Sequence, residues 1–397
     1  MNPNDTDDLL SQPTVPQLGV EEEYQLVDPS TGRLVPACHE VMAEIRGRSG
    51  KQDVESEIVH ELHLNQIEMA SPVCDTLDDA RRNITDTRRV IAAAADQTGV
   101  RMMSAATNPL PLPEEDDITK KNRYVAMTER YQQLATDLYI FGCHVHVSMP
   151  DRDLGVAVIN RCRQWLPLLQ TFTANSPYWD GRDTGYDSYR RELWMQWPMA
   201  GAPPAFEDAA AYDRCVNQLV DATAINDASN VYWDIRLPDK VPTIEFRAAD
   251  AMCTIDETIG YTGLVRAMVM AAVEDQRRGV KMPEPNDHVI RYAIWFAARY
   301  GVEDRTIDPV AGRPTKLQSR VDELWQWIHP SLDISGDTEI VRQFIDSVLR
   351  YGNGAKRQRQ ASGYQSDDPY DQPGDENLRK VVRWAIDQTA PLAENPH

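Results

Sequence analysis

Four short apolar segments of this chain carry charged side chains where a strand would bury them. Glu21, Glu22 and Glu23 lie in LGVEEEYQLVD, Glu61 and Glu68 in HELHLNQIEMAS, His144 and His146 in FGCHVHVSM, and Glu245 with Arg247 in TIEFRAAD. An ionised carboxylate is costly to bury unless a charge neutralises it. Several strands that each offer Glu or His therefore point to a divalent metal cluster where they converge. Glutamate-rich ligation suits hard ions, Mg²⁺ or Mn²⁺, better than a structural zinc.

Strand parity sharpens this expectation. In a strand Glu21 and Glu23 share a face while Glu22 points away. Two carboxylates on one face repel unless a cation lies between them; a solvated strand face is the plain alternative. Glu22 in the core as a lone charge is not expected. Glu61 and Glu68 are seven residues apart, so a single straight strand would set them on opposite faces. Both reach one site only if a bulge or turn intervenes. Glu68 sits between Ile67 and Met69, where an unpaired charge is expensive, whereas Glu61 is in a more polar setting. His60 and His63 read as surface or hydrogen-bonding histidines.

His144 and His146 alternate with valines and face one way, which suits a metal or a half-buried structural pair. Glu245 and Arg247 also share a face: a metal-binding carboxylate beside a guanidinium is a natural phosphate site. An ordinary intrastrand ion pair is the alternative. No GxxxxGK[ST] or GxGxxG occurs, so any nucleotide must be held by metals and arginines. The stretch GNGAKRQRQ (352–360) reads as a basic, flexible loop able to close over phosphates with Lys356, Arg357 and Arg359, or simply as a solvated one.

At 397 residues with 42% hydrophobic content, the chain can bury a large core, and a net charge of −21 argues against nucleic acid or an anionic membrane as partner. Only eight of its 41 basic residues are lysine, which is compatible with a salt-rich cytoplasm or with a high-GC genome. Six scattered cysteines without CxxC spacing indicate a reduced, cytoplasmic protein. The N-terminus lacks a signal-peptide pattern, and no apolar stretch is long enough for a membrane span.

Residues 1–16 read as a flexible polar tail. Strands are expected at 18–27, 61–70, 101–107 and 138–149, with a hairpin in VYWDIRLPDKVPTIEFRAAD. Helices are expected at 76–99 with Thr76 as N-cap and Asp79 in a capping box, from about 122, at 152–174 and at 206–225. From about 256 the chain reads as helical to about 350 and again over 375–389. Strands in hairpin-like pairs among longer helices favour an α+β fold.

Taken together, GVEEEYQLVD, the two glutamates of ELHLNQIE, FGCHVHV, ANSPYWDGRDTGYDSYR, WDIR followed by TIEFR, and GNGAKRQR resemble the bacterial carboxylate–amine ligases of the type 2 glutamate–cysteine ligase family. The motifs run in register from about residue 17 to about 360. The resemblance implies a glutamine synthetase-like catalytic fold: a curved antiparallel sheet forming an active-site funnel, with helices packed outside. It implies one catalytic domain over 17–397 whose last part, about 256–397, is mostly helical. It also implies ATP-dependent amide formation through an acyl phosphate, with Mg²⁺ (or Mn²⁺) as cofactor and ATP, glutamate and an amine, foremost cysteine, as substrates. By the same resemblance Glu21, Glu23, Glu61, Glu68, His146 and Glu245 hold the metal ions. Arg247 stabilises the phosphoryl group, with Glu245 beside it. Arg190 grips the carboxylates of glutamate, and His144 and Arg236 face the substrate.

Two rivals stand beside this reading. A metal-dependent hydrolase built on the His pair should prefer Zn²⁺ and supply further histidines. A catalytically silent scaffold would not be expected to keep Glu21, Glu23, His146, Glu245 and Arg247. Relatives of this kind suggest a homodimer or higher homo-oligomer, with Trp295, Trp325 and Trp327 available for an interface or for the core.

Overall fold

The computed structural model describes residues 15–48, 54–114, 117–366, 368 and 371–390. Most of the expected N-terminal tail lies outside the described residues. The alternating run LGVEEEYQLV forms β1 (Leu18–Val27), with Leu18, Val20, Glu22 and Tyr24 on its buried face. Helix α1 (Cys38–Arg48) follows. The segment expected as one strand over 61–70 is instead the end of a hairpin: β2 (Glu57–His60) and β3 (Gln66–Ala70) pair antiparallel around a turn at 61–65. Thr76 caps α2 (Leu77–Gln97) and makes the expected capping box with Asp79. Strand β4 (Arg101–Met103) is shorter than the sequence suggested, and α3 (Asn122–Tyr131) begins where expected.

After the single turn α4 (Gln133–Thr136), the His-bearing strand β5 (Gly142–Ser148) crosses the middle of the sheet. The helical stretch behind it divides into α5 (Arg152–Cys162) and α6 (Leu166–Thr173). A two-residue ribbon, β6 (Tyr178–Trp179) with β7 (Arg182–Asp183), leads into α7 (Tyr189–Trp194) and then α8 (Ala209–Asp221). The expected second hairpin forms from β8 (Ile235–Arg236) and β9 (Thr243–Asp250).

These strands make one antiparallel sheet in the order β2-β3-β1-β5-β9-β8, with β4 extending the pairing of β1. Between Val145 and Cys143 the register on β9 slips by one: Arg247 and Ala248 together face His144. Such a bulge bends the strand and re-aims its side chains. One sheet face is apolar, with Val20, Tyr24, Ile67, Met69, Val145, Val147, Ile244 and Phe246 all buried. It rests on α2 and on the long α9 (Ile255–Arg277), which is buried along most of its length. Each such side chain removed from water contributes about 1.5–3 kcal/mol, so the sheet's orientation is strongly fixed. The other face carries the charged row.

The C-terminal part is helical, as expected, with two exceptions. Helix α10 (Asp287–Tyr300) ends at Gly301, and the chain then forms a hairpin of β10 (Arg305–Asp308) and β11 (Arg313–Lys316) before α11 (Leu317–Ser335) and α12 (Thr338–Tyr351). The Asp308 carboxylate accepts the Val310 and Ala311 N–H groups in that turn, a local signal for a hairpin that the surrounding helical periodicity masked. The second exception is the supposed loop at 352–360. It is α13 (Gly354–Ser362), capped by Asn353, whose side chain accepts the Lys356 N–H. The glycines there serve close packing: a Cβ on Gly354 would lie 2.1 Å from Asn175 Oδ1. Helix α14 (Asp375–Thr389) closes the chain against β4.

Candidate active site

Cross-strand register assembles the charged row. Glu23 on β1 stands opposite Glu68 on β3, Glu21 opposite His144 on β5, His146 opposite Glu245 on β9, and Glu245 opposite Arg236 on β8. Directly opposed side chains on one face lie close enough to interact. Every sequence-expected ligand on these strands therefore reaches the same side of one sheet.

Glu61 joins them through the hairpin. Paired residues in β2 and β3 run Val59 with Glu68 and His60 with Ile67, so residues that face each other differ by an odd number. The separation of seven, prohibitive in a straight strand, is what a hairpin needs. The Glu61 and Glu68 carboxyls lie within hydrogen-bonding reach of each other. Burial first, then the carboxylates of Glu61, Glu21 and Glu23, push Glu68 well above the usual carboxylate range. Burial and Glu61 raise Glu23 to about 7, even though Glu23 accepts the Gly142 N–H at 2.6 Å and feels Arg190. Arg123 at the start of α3 is a nearby cation, 3.7 Å from Glu61, but its side chain is mostly exposed. This half of the row is a crowd of carboxyl groups whose mutual repulsion resists full ionisation.

The other half contains the histidines. Glu21 Oε2 is 3.0 Å from His144 Nδ1, and Glu21 Oε1 is 3.2 Å from His146 Nε2. Glu245 Oε1 lies 4.0 Å from His144 Nδ1 and 3.9 Å from His146 Nε2. Burial raises the Glu21 carboxyl, but its contacts with the two imidazoles outweigh this and hold it well below the usual range. Burial and the Arg247 charge depress His144 to about 4 against the pull of Glu21 and Glu245. His146 Nδ1 is 3.0 Å from Thr243 Oγ1, whereas its buried Nε2 faces two carboxylates without hydrogen-bond alignment to either.

Glu245, although buried, is held at about 2 because Arg247 and Arg236 overcome the burial penalty. Arg236 Nε donates to Glu245 Oε2 at 2.6 Å, and Arg247 pairs with Glu245 Oε1. Beside these guanidiniums is an aromatic cluster of Tyr131, Trp194, Trp197 and Tyr232, with ring centroids 4.4 to 6.0 Å apart. Its only trace in the sequence is the density of aromatics in WMQW and VYWD.

Arg190 is buried beside Gly142, next to Glu23, with Asp250 Oδ1 3.7 Å away. Asp250 was missed by the sequence reading. It accepts the Ser176 and Ser188 hydroxyls at 2.7 and 2.9 Å and the Asn175 N–H at 2.8 Å, tying three segments behind Arg190. A Cβ on Gly142 would lie 2.5 Å from Arg190 Nη2. Gly142→Ala should therefore displace the guanidinium and, on the expectation that Arg190 grips a substrate carboxylate, weaken saturation by that substrate by up to about 10²-fold with little change in melting temperature. Steady-state KM values measure this; an unchanged KM would remove Arg190 from the substrate site.

Three expectations need correction. Lys356, Arg357 and Arg359 do not form a loop over the row. Arg357 pairs with Glu257 at the start of α9, Arg359 pairs with Asp183 and Asp187, and Lys356 is exposed. Among the described residues none of the three pairs with Glu21, Glu23, Glu61, Glu68 or Glu245. Glu22 is buried after all, but not alone: Arg88 pairs with it. His63 is not a surface histidine; it is buried, stacked on Tyr139 and close to the Ala135 backbone. His39 and His60 pack together near Cys38, and no third histidine joins the His144–His146 pair among the described residues.

Divalent cations fit these residues. Glu21, His144 and Glu245 offer ligand atoms all within 4.8 Å of one another. The orphaned Nε2 of His146 faces the same space, and Glu23, Glu61 and Glu68 supply further carboxyl oxygens. An oxygen-rich set with few imidazoles suits Mg²⁺ or Mn²⁺.

The description of a known family, glutamate–cysteine ligase family 2, matches residues 17–383. A Rhodopirellula baltica protein provisionally named glutamate–cysteine ligase 2 is 53% identical over 96% of this chain and 98% of its own length. A similarly named protein of Mycolicibacterium vanbaalenii is 41% identical over 87% of this chain and 93% of its own. Among solved structures, a glutamate–cysteine ligase of Francisella tularensis in complex with AMP superposes with a TM-score of 0.68 at 14% identity, covering 96% of this chain and 90% of that one. A bifunctional glutathione synthetase of Pasteurella multocida gives a TM-score of 0.65 at 14% identity, over 97% of this chain and 53% of that one. These two likenesses establish a shared fold. No helix among the described residues is long and apolar enough to cross a membrane.

Proposed function

The chain belongs to glutamate–cysteine ligase family 2 and is an ATP-dependent ligase, and from that premise we propose that it joins the side-chain carboxylate of glutamate to the amine of cysteine, using Mg²⁺ or Mn²⁺ held by the charged row. The observation that carries this reading is the segregation along one sheet face. Carboxyls crowded on one another (Glu23, Glu61, Glu68), with only the exposed Arg123 and the neighbouring Arg190 as cations, occupy one half. Carboxylates and histidines flanked by Arg236 and Arg247 occupy the other.

That polarity suits phosphoryl transfer to a carboxylate, which crowds anions together and so needs alignment and positive charge above all. Bound divalent cations would neutralise phosphate oxygens and draw them toward the acidic half. Arg190, fixed by Asp250, is positioned to hold a substrate carboxylate beside Glu23. Arg247, held by Glu245, supplies charge to the phosphoryl group in flight. A glutamate carboxylate oxygen bonds to the γ-phosphorus of ATP and ADP departs. The amine nitrogen then bonds to the acyl carbon, phosphate departs, and the amine proton passes to solvent. The buried setting of Glu245 and His144 strengthens these interactions.

Other features support the coarser surroundings of this reading. The match over 17–383 and the packing of α9 beneath β1 and β5 favour one catalytic domain over 17–397. All six cysteines are free and five are buried, which favours a reducing cytoplasm. Trp295, Trp325 and Trp327 are half-buried and leave room for a homo-oligomer.

The test is release of ADP and phosphate from ATP and Mg²⁺ with glutamate and a panel of amines including cysteine and ammonia, with mass spectrometry of the products. Cysteine-dependent turnover yielding a γ-glutamyl amide is expected. Turnover with another amine alone would replace cysteine as acceptor, and no phosphate release with any pair would remove glutamate as the donor.

A further inference from the structure

We infer that the cavity between α12, α13 and α14 is a second nucleotide-binding site, separate from the charged row. The cavity has a volume of about 610 Å³, within the range of roughly 300–1,000 Å³ usual for small-molecule sites. Arg350, Lys356 and Arg357 line it, with the rings of Tyr351 and Trp384 and the amide of Gln360, and no carboxylate lines it. In a protein of net charge −21 this is a local reversal of sign. Three cations facing one space repel unless an anion joins them. Glu257 takes part of Arg357, but neither Arg350 nor Lys356 has a carboxylate partner among the described residues.

Lys356 is exposed, but part of its side chain packs on the backbone. Its stem lies over Gly352, where a Cβ would come within 2.4 Å of Lys356 Cδ and where the backbone has φ +89°. The rings are also placed for use. Trp384 is half-buried with the Arg357 guanidinium 5.9 Å from its centroid, and Arg350 lies 5.1 Å from the Tyr351 centroid. Phosphate charge for the cations together with a planar base for the ring faces defines a nucleotide, since stacking tolerates any base. The inner face of α13 is committed elsewhere. Gln358 Nε2 donates to the Asn175 carbonyl and side-chain oxygens at 2.8 and 2.7 Å, and Asn175 donates to Asp250, the residue behind Arg190. The outer face of this helix, with Lys356, Arg357 and Gln360, is the one that lines the cavity.

The test is equilibrium dialysis of ADP against the full chain in EDTA, conditions that remove the cations needed at the charged row. About one ADP per chain is expected, with adenosine and inorganic phosphate each binding more weakly than ADP. Arg350→Glu and Trp384→Ala should each weaken ADP at least about tenfold. Ligase turnover with Mg²⁺ should stay within about twofold in both variants, which also shows that they are folded. Failure of the wild type to bind ADP in EDTA, phosphate binding as tight as ADP, or ADP binding that ignores both substitutions would each overturn the inference. The ligase reaction is assayed separately with Mg²⁺, so loss of this site would leave that reading standing.

Discussion

Arg247→Ala is expected to slow single-turnover ADP formation by about 10³-fold while glutamate and ATP still bind. The size follows from the role: an arginine that meets charge developing on a phosphoryl group contributes about 10³–10⁵ in rate. The substitution is clean for a structural reason. Glu245 keeps its hydrogen bond from Arg236 at 2.6 Å, so removing Arg247 does not strand a buried carboxylate. A melting temperature within a few degrees of wild type should accompany the loss. Arg247→Lys should recover only part of the rate, because an ammonium cannot reproduce the fork of a guanidinium. Rapid-quench measurement of ADP under saturating substrates checks this. A rate within tenfold of wild type would take Arg247 out of the transfer step and leave it as a partner of Glu245.

The second large effect lies on the opposite face of the same strand. Arg88 and Glu22 are each 1% exposed. Arg88 Nη2 and Nε reach Glu22 Oε1 and Oε2 at 2.6 and 3.0 Å, a bidentate pair. The Thr258 and Tyr24 hydroxyls each donate to Glu22 at 2.6 Å, and Arg88 Nη1 donates to the Cys253 and Thr389 carbonyls at 2.7 and 3.1 Å. Burial alone would lower the Arg88 pKa, but Glu22 raises it above its ordinary value. The pair thus joins β1 to α2, to the start of α9 and to the end of α14. Arg88→Met would leave Glu22 charged and unpaired in the core, at a cost of about 3–5 kcal/mol.

The double variant Glu22→Gln with Arg88→Met should be less damaged than Arg88→Met alone, since the stranded charge is gone. Urea unfolding of the three proteins measures both comparisons. A loss under about 1 kcal/mol in Arg88→Met, well below the cost of a stranded buried charge, would show that water or a neighbour compensates Glu22. The same ion pair fixes which way β1 faces. Glu21 and Glu23 reach the charged row because Glu22 is anchored on the other side.

That arrangement separates what local sequence can state from what it cannot. Spacing along one strand fixes side-chain direction, so Glu21 with Glu23, His144 with His146, and Glu245 with Arg247 could be set on common faces from the sequence alone. The capping box at Thr76 and Asp79 was equally local, and the ordered set of motifs carried the family and its antiparallel sheet. Register between distant strands has no such local signature. It is set by how whole apolar faces pack, and it alone put Glu61 beside Glu68 through a hairpin turn, and His144 between Glu21 and Glu245. Likewise Arg88 is 66 residues from the carboxylate it neutralises, and Asp250 reaches Arg190 from the far end of a bulged strand.

Composition misled most where a residue's charge was read without its partner. Lys356, Arg357 and Arg359 suggested a loop over phosphates, yet two of them meet carboxylates brought from residues 183, 187 and 257. The sequence by itself determined which side chains bear charge, on which face of which strand, and which family the chain resembles. Only the tertiary structure decided which charges meet, because a charge's meaning depends on what lies within a few ångströms, and that neighbour is supplied by long-range packing.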